Sequence, residues 1–518
     1  MSDVGKNQYW EQFSIVPTDL EHLANFLMES ETPRTIPHLA QELITHRYQH
    51  LCDLAEATLS QGRIYRPCET YALEEKVIFP HLGNLLGEVC SVRAGHNPEY
   101  TDFSVMQVKF ESGAEREFVT NLSVSHPLDE AVYAPVGDLT PELLWEQYGN
   151  MVQMALHQAL QTNAQFVTMG EQWFLRELLL EISLVQLNIA EALLDMAQGG
   201  PLPTTALLEE LEMPAEISPP LQIFSLEHAL ERDGRFDEVG PAGQALWYLQ
   251  RMEPKSVLEI PERLRYIPLP YNRSAIDTDA LALEQQVADE WTESAFDGTL
   301  DEGLAVILFY PHWRSGTLPL NARLAQLFPT ARLTDRVRFS FMDKDTGKTF
   351  PGWVVRSGRY VYGLQEWYAE NQVGVGAYID LQASQEAGVI EIHARHIRSR
   401  RGEWLRTVTA RDNRLHFEVT RAPVACEYDE LAAIIVPDPQ VVDTLAQDLR
   451  RIPLENLVEQ IFSGLSGLSL QRAVHAVTLY SVLNLLRRVP PLPMLAALAM
   501  DQRYNALGDN YWAYRGDD

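Results

Sequence analysis

Apolar and polar residues alternate most regularly between residues 300 and 414. Residues 353–356 and 359–362 alternate as two half-buried strands, and Ser357-Gly358 between them is typical of a tight turn. The spacing of the patterned positions then lengthens to three and four residues, which predicts a short helix at Leu364, Trp367, Tyr368 and Asn371. Further strands are predicted at 304–310, 337–342 and 373–381, and another short helix at 318–328.

The rest of the chain divides into helical and strand-rich segments. Residues 1–62 have apolar positions close to helical spacing, whereas residues 64–121 hold short apolar runs separated by turn residues, which predicts the strands of a small barrel. Residues 139–198 are predicted to be helical, starting at Thr140-Pro141 and ending at Gly199-Gly200-Pro201. More helices are predicted at 203–211, 225–232 and 471–488.

One short pattern occurs twice. Residues 233–240 and 501–508 both read Asp-x-Arg-aromatic-Asn/Asp-x-Val/Leu-Gly, and each copy precedes a turn and a Trp-containing strand. Both copies follow apolar helices. The chain is therefore expected to hold two related helical units, each closed by a two-stranded hairpin in which Phe236 or Tyr504 anchors the hairpin on the helices.

Length and composition indicate an ordinary globular protein. A chain of 518 residues is too long for one core, and three to five domains are expected. With no apolar run near 18 residues and no secretion signal, the chain is expected to be cytoplasmic and without a membrane partner. Its four cysteines are widely spaced, which favours reduced core residues over disulfides or a zinc site.

Charge is distributed unevenly. The formal net charge is −31, which repels a phosphate backbone, yet residues 314–414 hold 16 basic and 10 acidic residues. Residues 275–303 hold nine acidic residues and no Lys or Arg, and are interpreted as a solvated linker that is partly helical. Alternatively, this linker covers the basic segment as an intramolecular phosphate mimic.

The order of elements between 304 and 381 resembles the DNA-binding pseudobarrel of plant auxin response factors and of some restriction-enzyme recognition domains. The resemblance is carried by Leu318-Pro319, Asp343, Gly347, Trp353, Tyr360, Gly363, Trp367, Asn371 and Val375-Gly376. It covers about a fifth of the chain. In that family two loops at one edge of the barrel grip the major groove, and residues 310–316 would be the first of them.

Two further resemblances concern the other segments. The helices and hairpins marked by Arg235-Phe236, Gly240 and Trp247, and by Arg503-Tyr504, Gly508 and Trp512, resemble winged-helix units of the HARE-HTH type, found in RNA polymerase delta subunits. The strand-rich segment resembles SH3-like or Tudor-like barrels, which bind peptides, nucleic acid or protein domains. A structural spacer is the alternative for that segment.

The expected fold class is a multidomain α+β protein with a small SH3-like β-barrel, winged-helix-like helical units and a pseudobarrel. The domains are placed at 1–62 (helical), 63–135 (small barrel), 139–272 (first winged-helix-like unit), 275–303 (acidic linker), 304–436 (pseudobarrel with basic extension) and 437–518 (second winged-helix-like unit).

The basic residues of the pseudobarrel are the predicted DNA contacts. The run 391–406 is the most basic, and its arginines flank a tryptophan, an arrangement suited to phosphate contacts and to stacking on bases or sugars. The alternative is a solvated basic hairpin that pairs with the acidic domains. The predicted contacts are Arg314, Lys344, Lys348, Arg356, Arg359, Arg398, Arg400, Arg401 and Trp404.

Catalytic and metal-binding signatures are sparse. The sequence has no glycine-rich phosphate loop, no Gly-x-Ser-x-Gly elbow and no His-Glu-x-x-His, and the acid pair Asp237-Glu238 lacks a basic partner at nuclease spacing. His46 and His50 are interpreted as solvated or stacking side chains. His393 and His396, on a predicted strand, are expected to point to opposite faces. No cofactor is expected.

The favoured hypothesis is a non-enzymatic, modular DNA-binding or transcription-associated protein whose pseudobarrel binds duplex DNA and whose winged-helix units contact protein partners. The alternative is an acidic scaffold that binds only proteins and whose basic segment is neutralised internally. A third class, a hydrolase, would require a cleft with convergent carboxylates or histidines.

Overall fold

The computed structural model describes residues 9–83, 85–97, 102–130, 139–292, 303–386, 388–397 and 402–515. The protein is α+β, with 39% helix and 26% strand in several separate sheets, which confirms the α+β part of the predicted class. It divides into two compact units, one of residues 1–182 and 213–228, the other of residues 183–212 and 229–518. Within the described ranges, no helix has both the length and the apolar character needed to cross a membrane.

The first unit contains two sheets and several helices. Its elements are α1 (Pro17–Ser30), β1 (Arg34–Thr35), α2 (Ile36–Leu59), β2 (Arg63–Ile64), β3 (Lys76–Phe79), β4 (Leu85–Ala94), β5 (Ser104–Phe110), β6 (Glu115–Thr120), α3 (Pro127–Glu130), α4 (Pro141–Thr162), β7 (Phe166–Met169) and β8 (Gln172–Leu175). Strands β2 to β6 form one sheet in chain order, with Val77, Phe79 and Val108 in its core. Strands β1, β8 and β7 form the other. The five-stranded sheet is therefore an insertion between helices α2 and α4, which pack against each other.

The prediction of continuous helices over 139–198 is wrong in its middle. Helix α4 begins as expected, with Pro141 in the first turn and the Thr140 hydroxyl accepting a hydrogen bond from the Leu143 amide. It ends at Thr162, and residues 166–175 form a hairpin because the turn at Gly170 has a φ of 59° and the strands bury Phe166, Trp173 and Phe174.

The second unit begins with helices and a small sheet and continues into a larger one. Its first elements are α5 (Leu184–Met196), β9 (Leu202–Pro203), α6 (Thr204–Glu209), α7 (Pro219–Arg232, of which residues up to 228 belong to the first unit), β10 (Phe236–Glu238), β11 (Leu246–Leu249), α8 (Lys255–Leu258) and α9 (Thr278–Val287). Strand β11 lies between β9 and β10 in the small sheet.

A seven-stranded sheet curls into a half-barrel in this unit. It comprises β12 (Leu304–Ile307), α10 (Tyr310–Ser315), β13 (Thr317–Pro319), β14 (Arg336–Asp343), β15 (Thr349–Val355), β16 (Tyr360–Tyr362), α11 (Gln365–Glu370), β17 (Tyr378–Ala383) and β18 (Val389–Ala394). The strand order is β12-β17-β18-β14-β15-β16-β13, and only the β14–β18 pair is parallel among the pairings described. Strands β12, β14, β15 and β16 and the helix near Trp367 lie where the alternation predicts them. The strand predicted at 373–381 begins only at Tyr378, and the predicted helix at 318–328 is a strand end followed by a single 3-10 turn.

The last elements are a long hairpin, called the ribbon below, which belongs to a three-stranded sheet, and a helical module. These elements are β19 (Glu403–Arg411), β20 (Arg414–Ala422), β21 (Ile434–Ile435), α12 (Pro439–Asp448), α13 (Leu454–Ser466), β22 (Ala473–His475), α14 (Ala476–Leu486), α15 (Pro491–Met500), β23 (Tyr504–Gly508) and β24 (Tyr511–Tyr514). Helix α14 is buried along its whole length in the largest core of the unit.

Three modules share one order of elements: helix, short strand, helix, helix, hairpin. They start at α1, α5 and α13, and in each the short strand pairs with the second strand of the hairpin. The two hairpins expected from the repeated pattern are confirmed, and the buried rings of Phe236 and Tyr504 hold them on their modules. The module at the N-terminus is a third copy, which the sequence analysis missed.

The three hairpins begin with the same turn. Asn163, Asp233 and Asp501 each accept a hydrogen bond from the backbone amide two residues later, at 2.9, 3.1 and 3.0 Å. In the second and third modules an arginine follows this turn and bridges to the first helix of its module, Arg235 to Glu191 and Arg503 to Glu459. The first module has Gln165 at that position.

A buried ion cluster joins the segment after α9 to the C-terminal module. The side chain of Arg488 is 2% exposed and contacts Asp289 and Glu290 at 2.7 Å each, while His312 binds Glu290 at 3.0 Å. Burial opposes the charged form of Glu290, but Arg488 and His312 outweigh it and hold its pKa below the usual value. The expectation that the acidic segment is solvated is therefore wrong for Asp289 and Glu290, and for buried Glu284.

Replacing Arg488 tests how much this cluster contributes to the stability of the second unit. The substitution Arg488→Met leaves two buried carboxylates without their guanidinium and should destabilise the second unit by about 3–5 kcal/mol. The measurement is the thermal unfolding midpoint of the intact chain. Arg503→Met is the matched control: Arg503 also contacts two carboxylates, but it is 42% exposed and its loss should cost at most about 1 kcal/mol. Equal shifts for the two variants would contradict the assignment.

Candidate functional site

Arg314, a predicted DNA contact, is part of an internal ion pair. Its Nε and Nη2 donate to Asp443 at 3.0 and 2.8 Å, and Arg263 shares the same carboxylate. The surrounding residues 310–316 are the expected first DNA-gripping loop, but they form the short helix α10, with Tyr310 and His312 buried. This helix starts at Tyr310-Pro311 and ends at Gly316, whose φ is 64°. The expectation of an exposed loop is therefore wrong.

The two predicted lysine contacts lie at the turn between β14 and β15. Lys348 is 57% exposed, and its Nζ donates to both oxygens of Glu370 at 2.8 and 3.0 Å. Lys344 is similarly exposed, with its Nζ 3.5 Å from Gln382 and 3.9 Å from Glu391. Exposed pairs of this kind exchange easily with solvent ions, so both lysines remain available to an anionic partner.

Arg356 and Arg359 lie together at the turn between β15 and β16. The Nη2 of Arg356 donates to the backbone carbonyls of Phe328 and Pro329 at 3.1 and 2.9 Å. The guanidinium of Arg359 lies over the ring of Trp291, 4.6 Å from its centroid. The structure thus brings these two predicted residues together, on the opposite end of β15 from the lysines.

Trp404 is the most exposed aromatic side chain among the large apolar residues of the described ranges, at 69%. It lies at the start of β19, directly opposite Arg421 of β20, and Val419 is exposed on the same face of the ribbon. Arg421 has one long contact, from Nε to the Gly402 carbonyl at 3.5 Å. Arg398, Arg400 and Arg401 precede this end of the ribbon in the chain and lie outside the described residues.

Other arginines of the basic run form hydrogen bonds with groups of the protein itself. Arg395 makes a two-pronged contact with Asp380 at 2.9 and 2.8 Å. Arg406 donates to the backbone carbonyl of Glu430 at 2.8 and 2.6 Å, and burial lowers its pKa. Even so, residues 395–421 hold eight arginines and three acidic residues, so the chain around Trp404 is locally basic.

The two histidines of the basic run converge on one carboxylate. His393 lies 3.1 Å and His396 3.7 Å from Asp345, so the expectation that they point apart is wrong. Strand β18 ends at Ala394, so His396 lies beyond the strand and its side chain does not follow the alternation of faces that the prediction assumed. No set of three metal-binding side chains occurs within the part of the chain that the structure describes.

The histidines of the first unit stack on one another. The rings of His22 and His46 are 3.6 Å apart and nearly parallel, and the stacking role expected for His46 is confirmed. Burial, together with His22, lowers the pKa of His46. The pair borders a cavity of about 820 Å³ whose wall also carries Asp19 and Arg47, which are paired with each other. The stacked rings lie between α1 and α2 and stabilise the packing of these helices.

Buried carboxylates gather where the β10–β11 hairpin meets β14. Asp237, Glu238 and Glu253 are buried, and Arg336 of β14 pairs with Asp237 and lies 3.7 Å from Glu253. The acid pair at 237–238 therefore has a basic partner, one that is distant in sequence. Burial raises the pKa of Glu238 to about 7, and burial together with Asp237 raises that of Glu253 to about 8.

Two side chains of the candidate sites were not singled out by the sequence analysis. Arg421 is distant from the basic run in sequence and joins Trp404 only through strand pairing. Asp345 lies in a turn, and its role as the shared partner of two histidines depends on the parallel pairing of β14 with β18. The alternating pattern of 403–422 was the available signal for Arg421, since it marks a hairpin.

The chain matches no protein-family model, and no curated protein or solved structure is significantly similar to it. What the molecule does must therefore be inferred from the contacts described above.

The buried glutamates make stability depend on pH. Their pKa values are higher in the folded than in the unfolded chain, so the folded state holds the protons more tightly. Their stabilising effect is complete below the unfolded pKa of about 4.5 and is lost as the pH rises through about 7 to 8. Glu253→Gln should therefore reduce the fall in thermal midpoint between about pH 6 and about pH 9.

The control for this measurement is Glu259→Gln, a change at an exposed glutamate of the same unit. It should leave the pH dependence of the midpoint as it is in the original chain. If Glu253→Gln and Glu259→Gln give the same pH profile, Glu253 does not titrate in this range.

Proposed function

We propose that the protein is a non-enzymatic, modular nucleic-acid-binding protein that contacts duplex DNA through the Trp404 end of the β19–β20 ribbon. The observation that carries the proposal is an exposed tryptophan directly opposite an arginine, in the locally basic part of an otherwise acidic chain. The Trp404 end of the ribbon is two-stranded, because β21 pairs with β19 only at Arg406 and Thr407. Two-stranded ribbons fit nucleic-acid grooves, arginine contacts phosphates, and an exposed aromatic ring stacks on bases or sugars.

The proposed domain types agree with this function. We infer that the half-barrel is a pseudobarrel, that the five-stranded sheet is an SH3-like barrel and that the three modules are winged-helix units. The inference is supported by the order of two short helices and seven strands in the half-barrel, and by the shared sheet order and turn of the modules. Lys344 and Lys348 supply a secondary basic surface, while Arg314 acts within the fold.

An acidic protein-interaction scaffold is the second candidate. It is favoured by helix α5, which leaves a row of apolar side chains exposed: Leu184, Val185, Ile189 and Met196. It is favoured too by the internal pairing of Arg314 and Arg395. In this case the modules bind protein partners and the basic segment is neutralised within the chain.

Fluorescence anisotropy of labelled duplex DNA with the intact chain tests the DNA-binding proposal. The original chain should bind at low salt and lose affinity steeply as salt rises. Trp404→Ala should weaken binding roughly 5- to 10-fold, because a stacked ring is lost. Arg421→Gln should weaken it less and reduce the salt slope by about 1. Lys255→Gln, which removes an exposed charge far from the ribbon in sequence, should change neither.

Two results would reject the proposal. If the intact chain does not bind duplex DNA even at low salt, the scaffold is the better interpretation. If it binds but Trp404→Ala binds equally well, the ribbon is not the contact surface.

A further inference from the structure

A recess lies beside the turn between β15 and β16 in the second unit. It has a volume of about 340 Å³ and is lined by Glu290, Thr292, Leu320, Asn321, Ala322, Ala325, Arg356 and Arg359. Its walls therefore combine two guanidinium groups with small and apolar side chains. A recess of this size is at the lower end of the range for small-molecule sites.

Arg356 carries a positive charge that the described residues do not neutralise. One of its nitrogens, Nη2, donates hydrogen bonds to backbone carbonyls of the loop at 325–329. Its Nε, in contrast, is buried without a hydrogen-bond acceptor. No carboxylate of the described chain forms an ion pair with it, and burial lowers its pKa. A half-buried guanidinium with an unused donor is costly unless an anion pairs with it.

Arg359 places a second guanidinium at the same recess. It rests on the ring of Trp291, and its Nη1 lies 3.4 Å from the backbone carbonyl of Glu290. Its backbone has a φ of 57°, a left-handed conformation that costs a non-glycine residue about 1 kcal/mol or more. The turn therefore presents this side chain in spite of backbone strain.

Among the described residues that line the recess, Glu290 is the one carboxylate, and its charge is already neutralised. Glu290 directs its oxygens to Arg488, at 2.8 and 2.7 Å, and to His312, at 3.0 Å. The recess is thus positively charged although the protein as a whole is strongly acidic. A dianionic group would balance two guanidinium groups, whereas a single carboxylate would balance one.

We propose that this recess is a binding site for a phosphate monoester. Arg356 and Arg359 would pair with the phosphate oxygens, since guanidinium groups match oxyanions geometrically and in charge. Leu320, Ala322 and Ala325 would contact the compact organic part of the ligand. This site differs from the Trp404 ribbon in its residues and in its ligand, a phosphate carried by a small molecule or by a nucleic-acid end.

Isothermal titration calorimetry of the intact chain tests the site, with inorganic phosphate and a nucleoside 5′-monophosphate as separate probes in chloride buffer of constant ionic strength. Both should bind saturably. Arg359→Gln should weaken binding at least tenfold, because it removes one of the two cations. Arg356→Gln should do the same, and Lys255→Gln, which removes an exposed cation of the same unit, should not.

Arg359→Gln decides the outcome if Arg356→Gln unfolds the loop at 325–329, because the Arg359 side chain makes only the ring contact and one long hydrogen bond among the contacts described. Duplexes with 5′-phosphate or 5′-hydroxyl ends identify the source of the phosphate. Competition by the phosphorylated duplex alone, lost in Arg359→Gln, would place the site on nucleic-acid ends. Absence of saturable binding by every phosphate probe, or equal binding by Arg359→Gln and the original chain, overturns the proposal.

Discussion

The contact between Arg488 and the carboxylates of Asp289 and Glu290 is the interaction on which the second unit most depends. These residues are about two hundred positions apart, and all three are almost fully buried. Through His312 the same cluster reaches α10, at the base of the half-barrel. Removing any one charge would leave the others uncompensated in a medium of low polarity, so the cluster specifies how the C-terminal module packs on the half-barrel.

The cluster also explains how an acidic chain presents a positive recess. Because Glu290 is held by Arg488 and His312, its charge does not offset that of Arg359, although its own backbone carbonyl contacts that guanidinium. Local neutralisation of this kind is common in the half-barrel, where Arg314 and Arg395 also have carboxylate partners. Within the described ranges, positive charges without a buried carboxylate partner include those at the recess, at the β14–β15 turn and on the ribbon. Net charge is therefore a poor guide to what this protein binds.

Much of the fold could be predicted because local patterns determine it. The alternation around Trp353 and the repeated turns at Asp233 and Asp501 identify the half-barrel strands and two hairpins. The third module was missed since Asn163 and Gln165 replace the Asp and Arg of the other copies, although Asn163 makes the same hydrogen bond. The hairpin at 166–175 was taken as helix because apolar residues on both faces of short, buried strands show no clear period.

The candidate sites were less predictable than the fold. The sequence analysis predicted Arg314, Arg356 and Arg359 as DNA contacts for the same reason, their positive charge. In the structure, Arg314 has a carboxylate partner from α12, whereas the other two line the recess. That difference is created by contacts between residues far apart in the chain, which a linear pattern does not contain. The same is true of Arg421, which meets Trp404 only because nine pairs of residues align along the ribbon.

The insertion of the five-stranded sheet into the first module bears on how that module assembles. Helices α2 and α4 pack together although about 80 residues separate them, and each doubling of an unstructured connection would add about 0.6 kcal/mol of closure entropy. However, two backbone hydrogen bonds hold the ends of the insertion together: the Asn121 amide donates to the Glu69 carbonyl and the Leu122 amide to the Pro67 carbonyl, both at 2.9 Å. Once folded, residues 67–122 bring their own two ends together, so this part of the connection adds little closure entropy. The five-stranded sheet can therefore diverge in sequence without disturbing the contact between α2 and α4.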